Sequence, residues 1–190
     1  MEHSTTEQLA FIAQMIKSAQ RRFYDDSPYY ILWGGAVFIA SIMQYILLVQ
    51  DNPYNAVGWA IAIPVALLVQ FFMLRKQKRE EKIKTHVETV LNSMWFAFGI
   101  SLFIILFFAN KIGGATYPII LSLYAITTFV SGSAFKIRAF VVGSLVCWGL
   151  SIVGFFVEFQ IQLLLLATGV LFAFIVPGII LRFYEKSAKN

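Results

Sequence analysis

The sequence predicts an all-α integral membrane bundle of six transmembrane helices with an N-terminal cytoplasmic amphipathic helix. Three observations carry this expectation. Apolar residues make up 59% of the 190-residue chain and charged residues 13%, against ~25% charged in an ordinary soluble domain. That is too little charge to clothe a water-soluble core. The apolar residues gather into runs of spanning length with the charges between them. The Lys and Arg side chains, finally, crowd into alternate loops, as they do on the cytoplasmic side of membrane proteins.

Taken in order, residues 1–28 form the cytoplasmic helix. Ser4 and Glu7 have capping-box spacing, the hydroxyl capping backbone donors and the carboxylate reaching back. Leu9, Ile12, Ile16, Ala19 and Phe23 then recur every three or four residues, which puts them on one stripe. Asp25, Asp26, Ser27 and Pro28 end this helix, because the residue before proline resists helical geometry. Such a helix packs under the membrane domain, docks a partner or lies on lipid.

The first span is 29–49, ~31 Å at helical rise, with Tyr29, Tyr30 and Trp33 at its start, where amphipathic rings prefer the interface. Residues 50–55 make a turn around Pro53. The second span, 56–74, carries Gly58, Ala62 and Ala66 on a smooth stripe suited to close helix contact, with Pro64 as a kink. The basic segment 75–93 follows. Ile83, Val87, Val90, Leu91 and Met94 keep helical spacing through it, so a cytoplasmic helix should run directly into span three, 94–109.

Residues 110–115 read as a turn, and Tyr117 and Pro118 open span four. Its clean apolar run stops near Val130, yet the helix has to continue to Phe135 to reach spanning length, giving 117–135. Span five, 139–157, has Gly143, Cys147 and Ser151 on a small-residue stripe. Span six, 161–181, has Gly169, Ala173 and Pro177, with Pro177 and Gly178 bending its inner end. Residues 182–190 form the tail.

Of the 15 Lys and Arg, only Lys111 lies in a loop of the opposite set. This places both termini in the cytoplasm of an inner (plasma) membrane protein. It also explains the net charge of +5 without nucleic acid, which needs a basic face with aromatic or polar groups beside it.

Chemistry is sparse. No Asp, Glu, Lys or Arg falls inside a span, which argues against a carrier with a buried carboxylate. Gln44 and Gln70 are the intramembrane polar candidates, since an amide in hydrocarbon wants a partner; their depths differ too much for them to pair with each other. Cys147 has no basic neighbour to lower its pKa and reads as a packing residue. His3 and His86 lack further ligands at metal spacing except Glu88 and Glu81 near His86, a weak signal beside the reading of His86 as a solvated residue. No phosphate loop, paired carboxylate or zinc-protease pattern is present. Neither catalysis nor a metal or other cofactor is expected. Trp33–Gly34, Trp95 with Gly99, and Trp148–Gly149 recur in the odd-numbered spans, as hairpin duplication or an aromatic-rich composition would each produce.

The series Glu7, Ile12, Met15, Ile16 and Phe23, leading to Tyr30, Ile31, Leu32, Trp33 and Gly34, resembles small uncharacterised bacterial six-helix inner-membrane proteins. The resemblance covers the first quarter of the chain. It implies a bacterial membrane location and brings no activity or functional residue.

The expected function is therefore non-enzymatic: assembly or signalling through the cytoplasmic helices. Leu9, Ile12, Ile16 and Phe23, with Ile83 and Val87, would form the partner-binding surface. The expected partners are the lipid bilayer, a second copy of the chain or a cytoplasmic protein. The alternative is a small transporter or channel for a neutral or hydrophobic solute.

Overall fold

Apolar runs separated by short breakers leave the backbone few options away from water. Every N–H and C=O must be paired inside its own segment, and the α-helix does this. The computed structural model describes residues 27–76 and 86–189. Its helices are α1 (Ser27–Val49), α2 (Val57–Lys76), α3 (His86–Phe107), a short α4 (Ala109–Ile112), α5 (Thr116–Ala134), α6 (Arg138–Gly154), α7 (Phe159–Val170) and α8 (Val176–Lys189). A 3-10 turn, Gly113–Ala115, leads into α5, and a π-helical turn, Leu171–Ile175, fuses α7 and α8 into one rod. No strand occurs among the described residues.

Five stretches are long and apolar enough to cross a membrane: Ser27–Val49, Val57–Lys76, Thr89–Phe107, Ala109–Ala134 and Phe159–Phe183. They mark the chain as an α-helical membrane protein. The sixth rod, α6, has 17 residues and is shorter, ~25 Å at helical rise. The segment 110–115 differs from a simple turn, since α4 and the 3-10 turn coil it. α3 starts at His86 and runs unbroken into its apolar part, so residues 86–93 of the expected 75–93 segment are helical and continuous with the span. The N-terminal stripe of Leu9, Ile12, Ile16 and Phe23, and Ile83 with most of the basic cluster, lie outside the described residues.

The rods are unequal. α1, α5, α6 and α7–α8 form the packed centre around Leu121, Ala125, Cys147, Leu163, Leu166 and Val170. Half of the spanning residues of Ala109–Ala134 and of Phe159–Phe183 are buried, against 11% for α2 and 6% for α3. α2 rests on α1, and α3 rests chiefly on α5.

Glycine decides how closely the centre can approach. A Cβ on Gly143 of α6 would collide with the Phe172 carbonyl and Ala173 Cα. One on Gly34 of α1 would sit 2.8 Å from Phe174 Cβ. Both contacts are on the π turn. There the Val176 N–H goes to Leu171 O and Pro177 has no N–H to give. The Phe172 carbonyl is therefore left facing α6 instead of its own helix. By contrast, Gly99 and Gly149 have open space where a Cβ would go. The three recurring tryptophan–glycine positions are thus not structurally equivalent.

Two levels can be traced across the bundle. At one, Trp33 meets Gln70, Gly178 faces Tyr30 and Ile31, and the Tyr30 ring lies 4.9 Å from Phe140 and 6.3 Å from Trp95. At the other, Gln44 meets Trp59 and Tyr117, and Gln162 reaches Gly114 and Gly154. Arg75, Lys76, Lys136, Arg138 and Arg182 belong to the first end; Asp51, Lys111 and Glu158 belong to the second. Charge is therefore segregated along the bundle axis.

The α1–α2 and α5–α6 reversals share one geometry. After α1, Asn52 N–H returns to Leu47 O and Asp51 N–H to Leu48 O. After α5, Ile137 N–H returns to Gly132 O and Lys136 N–H to Ser133 O. This closure satisfies the last helical carbonyls and needs a left-handed residue in the middle. Asp51 (φ 52°) and Lys136 (φ 57°) fill that position, where glycine would be less strained.

Candidate functional site

Polar side chains within the spans are where a membrane protein of this composition could do chemistry, so their partners decide what the interior can be. Trp33 Nε1 of α1 donates to Gln70 Oε1 of α2 at 2.7 Å. Trp59 Nε1 of α2 donates to Gln44 Oε1 of α1, also at 2.7 Å. Eleven residues separate Trp33 from Gln44, and eleven separate Trp59 from Gln70. Because eleven residues make about three helical turns, each helix presents both members of its pair on one face. The antiparallel register then brings both bonds into line. The two glutamines do not bond each other; each takes a tryptophan N–H from the facing helix.

Gln44 does more than close one clasp. Its Oε1 also accepts the Tyr117 hydroxyl of α5 at 2.8 Å, and its Nε2 lies 3.5 Å from Asn55 Oδ1. It is 6% exposed and joins α1, α2 and α5 at one point. Asn55 is held by the turn, donating to Asn52 O at 3.3 Å, while Asn52 Oδ1 accepts the Tyr54 N–H.

A second polar knot binds the centre. Ser151 donates to Pro118 O at 2.8 Å, and Ser122 and Ser151 hydroxyls lie 2.7 Å apart, joining α5 to α6. Gln162 at the start of α7 donates through Nε2 to Gly114 O, Gly154 O and Val157 O at 2.8, 3.1 and 3.2 Å. One amide thereby ties the segment leading into α5 to the α6–α7 reversal. Cys147 Sγ lies 3.4 Å from Gly169 O across the α6–α7 contact and is buried, as its place on the small-residue stripe implies. Ser41, Thr127, Thr128, Ser144 and Thr168 bond carbonyls of their own helices, satisfying their hydroxyls locally.

An aromatic group fixes α3. Trp95 and Phe98 of α3 lie 5.4 Å apart, Phe98 is 5.1 Å from Tyr124 of α5, and Phe174 of the π turn is 5.2 Å from Tyr124 and 6.1 Å from Trp95. The contacts among Trp95, Phe174 and Tyr124 are edge-on, the favourable geometry for packed rings. Phe174 is the hub, since it also lies 6.0 Å from Tyr30. The π turn thus carries the residue that joins α1, α3 and α5.

Of the residues expected to bind a partner, only Val87 is among those described. It is exposed in the first turn of α3. Among the described residues, no three His, Cys, Asp or Glu side chains come together to hold a metal ion. Among the described residues, shallow grooves open on the outer surface. One, of about 320 Å³, is lined by Gly132, Ser133, Lys136, Arg138, Val141 and Val142. Another, of about 350 Å³, is lined by Thr89, Asn92, Ser93 and Phe96.

The sequence singled out the two glutamines without their donors. Trp33 reads as an interfacial ring, and Trp59 has no period linking it to Gln44 until the antiparallel register is known. Gln162 escapes notice because it lies next to the Glu158 turn, where a polar residue is unremarkable. Compared with protein-family models, curated proteins and solved structures, the chain matches none.

Proposed function

We propose that the chain crosses a bacterial inner (plasma) membrane six times, with both termini in the cytoplasm, and acts by assembly instead of catalysis. In this reading α6 is the sixth span. Its shortness is tolerable because Lys136 and Arg138 at its start can extend their charged heads to the interface. The segregation of Arg75, Lys76, Lys136, Arg138 and Arg182 from Lys111, Asp51 and Glu158 supports the orientation.

The observation that carries assembly is how the interior is spent. Gln44, Gln70, Ser122 and Ser151 make hydrogen bonds between helices, and the Nε2 of Gln162 does the same while its buried Oε1 has no partner among the described residues. The outermost helices, α2 and α3, meanwhile keep most of their apolar surface outward. A centre braced this way suits a platform that carries cytoplasmic segments, which then bind a second copy or a cytoplasmic protein. The purified full chain in lipid nanodiscs tests this by mass and crosslinking: a defined oligomer, lost on deleting residues 1–24, is expected. Specific, saturable solute flux in proteoliposomes would refute it and support a small transporter.

A further inference from the structure

We infer that the groove at the α5–α6 reversal is a binding site for one anionic phospholipid of the leaflet at the cationic end. The inference rests on the chain's spanning a membrane and is independent of whether the chain assembles. The groove is shallow and open to the outside, with about 320 Å³ of space beside the two cations. Its lining joins Lys136, Arg138 and Ser133 to Gly132, Val141 and Val142. Both cations are exposed, so their charge is free to meet an anion at the interface.

Beyond the groove, toward the middle of the helices, the surface of α5 and α6 is apolar. Val142 and Leu145 on α6 are 58% and 57% exposed, and Phe129 of the neighbouring helix lies partly exposed against Trp148 at 5.4 Å. Below the two cations the outward surface of α5 and α6 is thus apolar, as an acyl chain requires. A phosphodiester head held by Lys136 and Arg138, with its tail against this apolar surface, matches charge to charge and hydrocarbon to hydrocarbon. A soluble anion would use only the cationic part. A zwitterionic lipid would bring its own cation against Lys136 and Arg138.

Lys136 has a further property that makes the site testable. It holds the left-handed position of the reversal at φ 57°, where glycine is the less strained residue. Folding at this point would be served at least as well without the lysine side chain, so Lys136→Gly separates binding from folding.

The test is native mass spectrometry of the full chain released from nanodiscs of mixed phosphatidylglycerol and phosphatidylethanolamine. One phosphatidylglycerol retained in preference to phosphatidylethanolamine is expected. The Lys136→Gly/Arg138→Gln variant should retain it about 30-fold less well, from two interfacial charges. Lys111→Gln, at the opposite end, should match wild type. Equal retention of both lipids, unchanged retention in the double variant, or an equal loss in Lys111→Gln would overturn the inference. So would displacement of the lipid by inorganic phosphate, which would mark a site for a free anion.

Discussion

Replacing Gln44 with leucine tests whether one amide holds three helices. Leucine fills much the same volume, so the change removes hydrogen bonding and little packing. The Trp59 N–H and the Tyr117 hydroxyl, at 2.7 and 2.8 Å, both lose their acceptor. The Asn55 contact at 3.5 Å is too long to count for much. Interhelical hydrogen bonds in membranes average about 0.6 kcal/mol with a ceiling near 1.7. Gln44→Leu should therefore destabilise by about 1.2 kcal/mol, and by no more than about 3. Gln70→Leu strands only the Trp33 N–H and should cost about 0.6 kcal/mol. Unfolding of the purified chain in mixed micelles, titrated with a denaturing detergent, reads both. A cycle with Trp59→Phe should show that the second substitution costs less once Gln44 is gone. If Gln70→Leu proves as damaging as Gln44→Leu, or the cycle shows no coupling, the three-helix junction is not what braces this end.

Further outcomes follow from the same contacts. Gly143→Ala forces a methyl against the Phe172 carbonyl and Ala173 Cα, neither of which is a flexible chain end; it should destabilise by about 1–3 kcal/mol. Gly99→Ala and Gly149→Ala meet nothing within 4 Å and should be neutral or up to about 1 kcal/mol stabilising in the same titration. Lys136→Gly should stabilise by about 1 kcal/mol by relieving its left-handed backbone; a loss of stability would show that the side chain props the reversal. Cys147, buried at the α6–α7 contact, should resist maleimide until the chain unfolds, and mass spectrometry after labelling reads this. In a Cys147→Ser background, Lys111→Cys should react with an impermeant maleimide on intact cells. Lys136→Cys should react only after permeabilisation, and the reverse pattern would invert the topology.

The helices were legible because their cause is local. Away from water the backbone has to satisfy itself, so apolar length alone marks Ser27–Val49 or Val57–Lys76, and prolines and charges mark the breaks. The same locality explains the unbroken run of α3 from its first turns into its apolar part, where Val87, Leu91 and Met94 keep one period. The candidate polar residues were only half legible. Gln44 and Gln70 stand out in an apolar background, but their partners lie 15 to 73 residues away. The π turn was not legible at all beyond a bend near Pro177. Proline predicts a lost hydrogen bond, but not that Gly143 and Gly34 would admit the displaced backbone.

Composition and period, then, were sufficient for the helical membrane architecture and for the uneven sharing of charge between its two ends. Both depend on how a segment meets its solvent, which a segment's own residues settle. Which helices form the centre, which stay at the rim, and which donor finds Gln44 depend on register between distant segments. A bundle in lipid gains little from hydrophobicity when helices associate, so that register is set by glycine contacts and single hydrogen bonds. Those are visible only once Gly34 lies against Phe174, Trp59 against Gln44, and Lys136 beside Arg138 at the mouth of a groove.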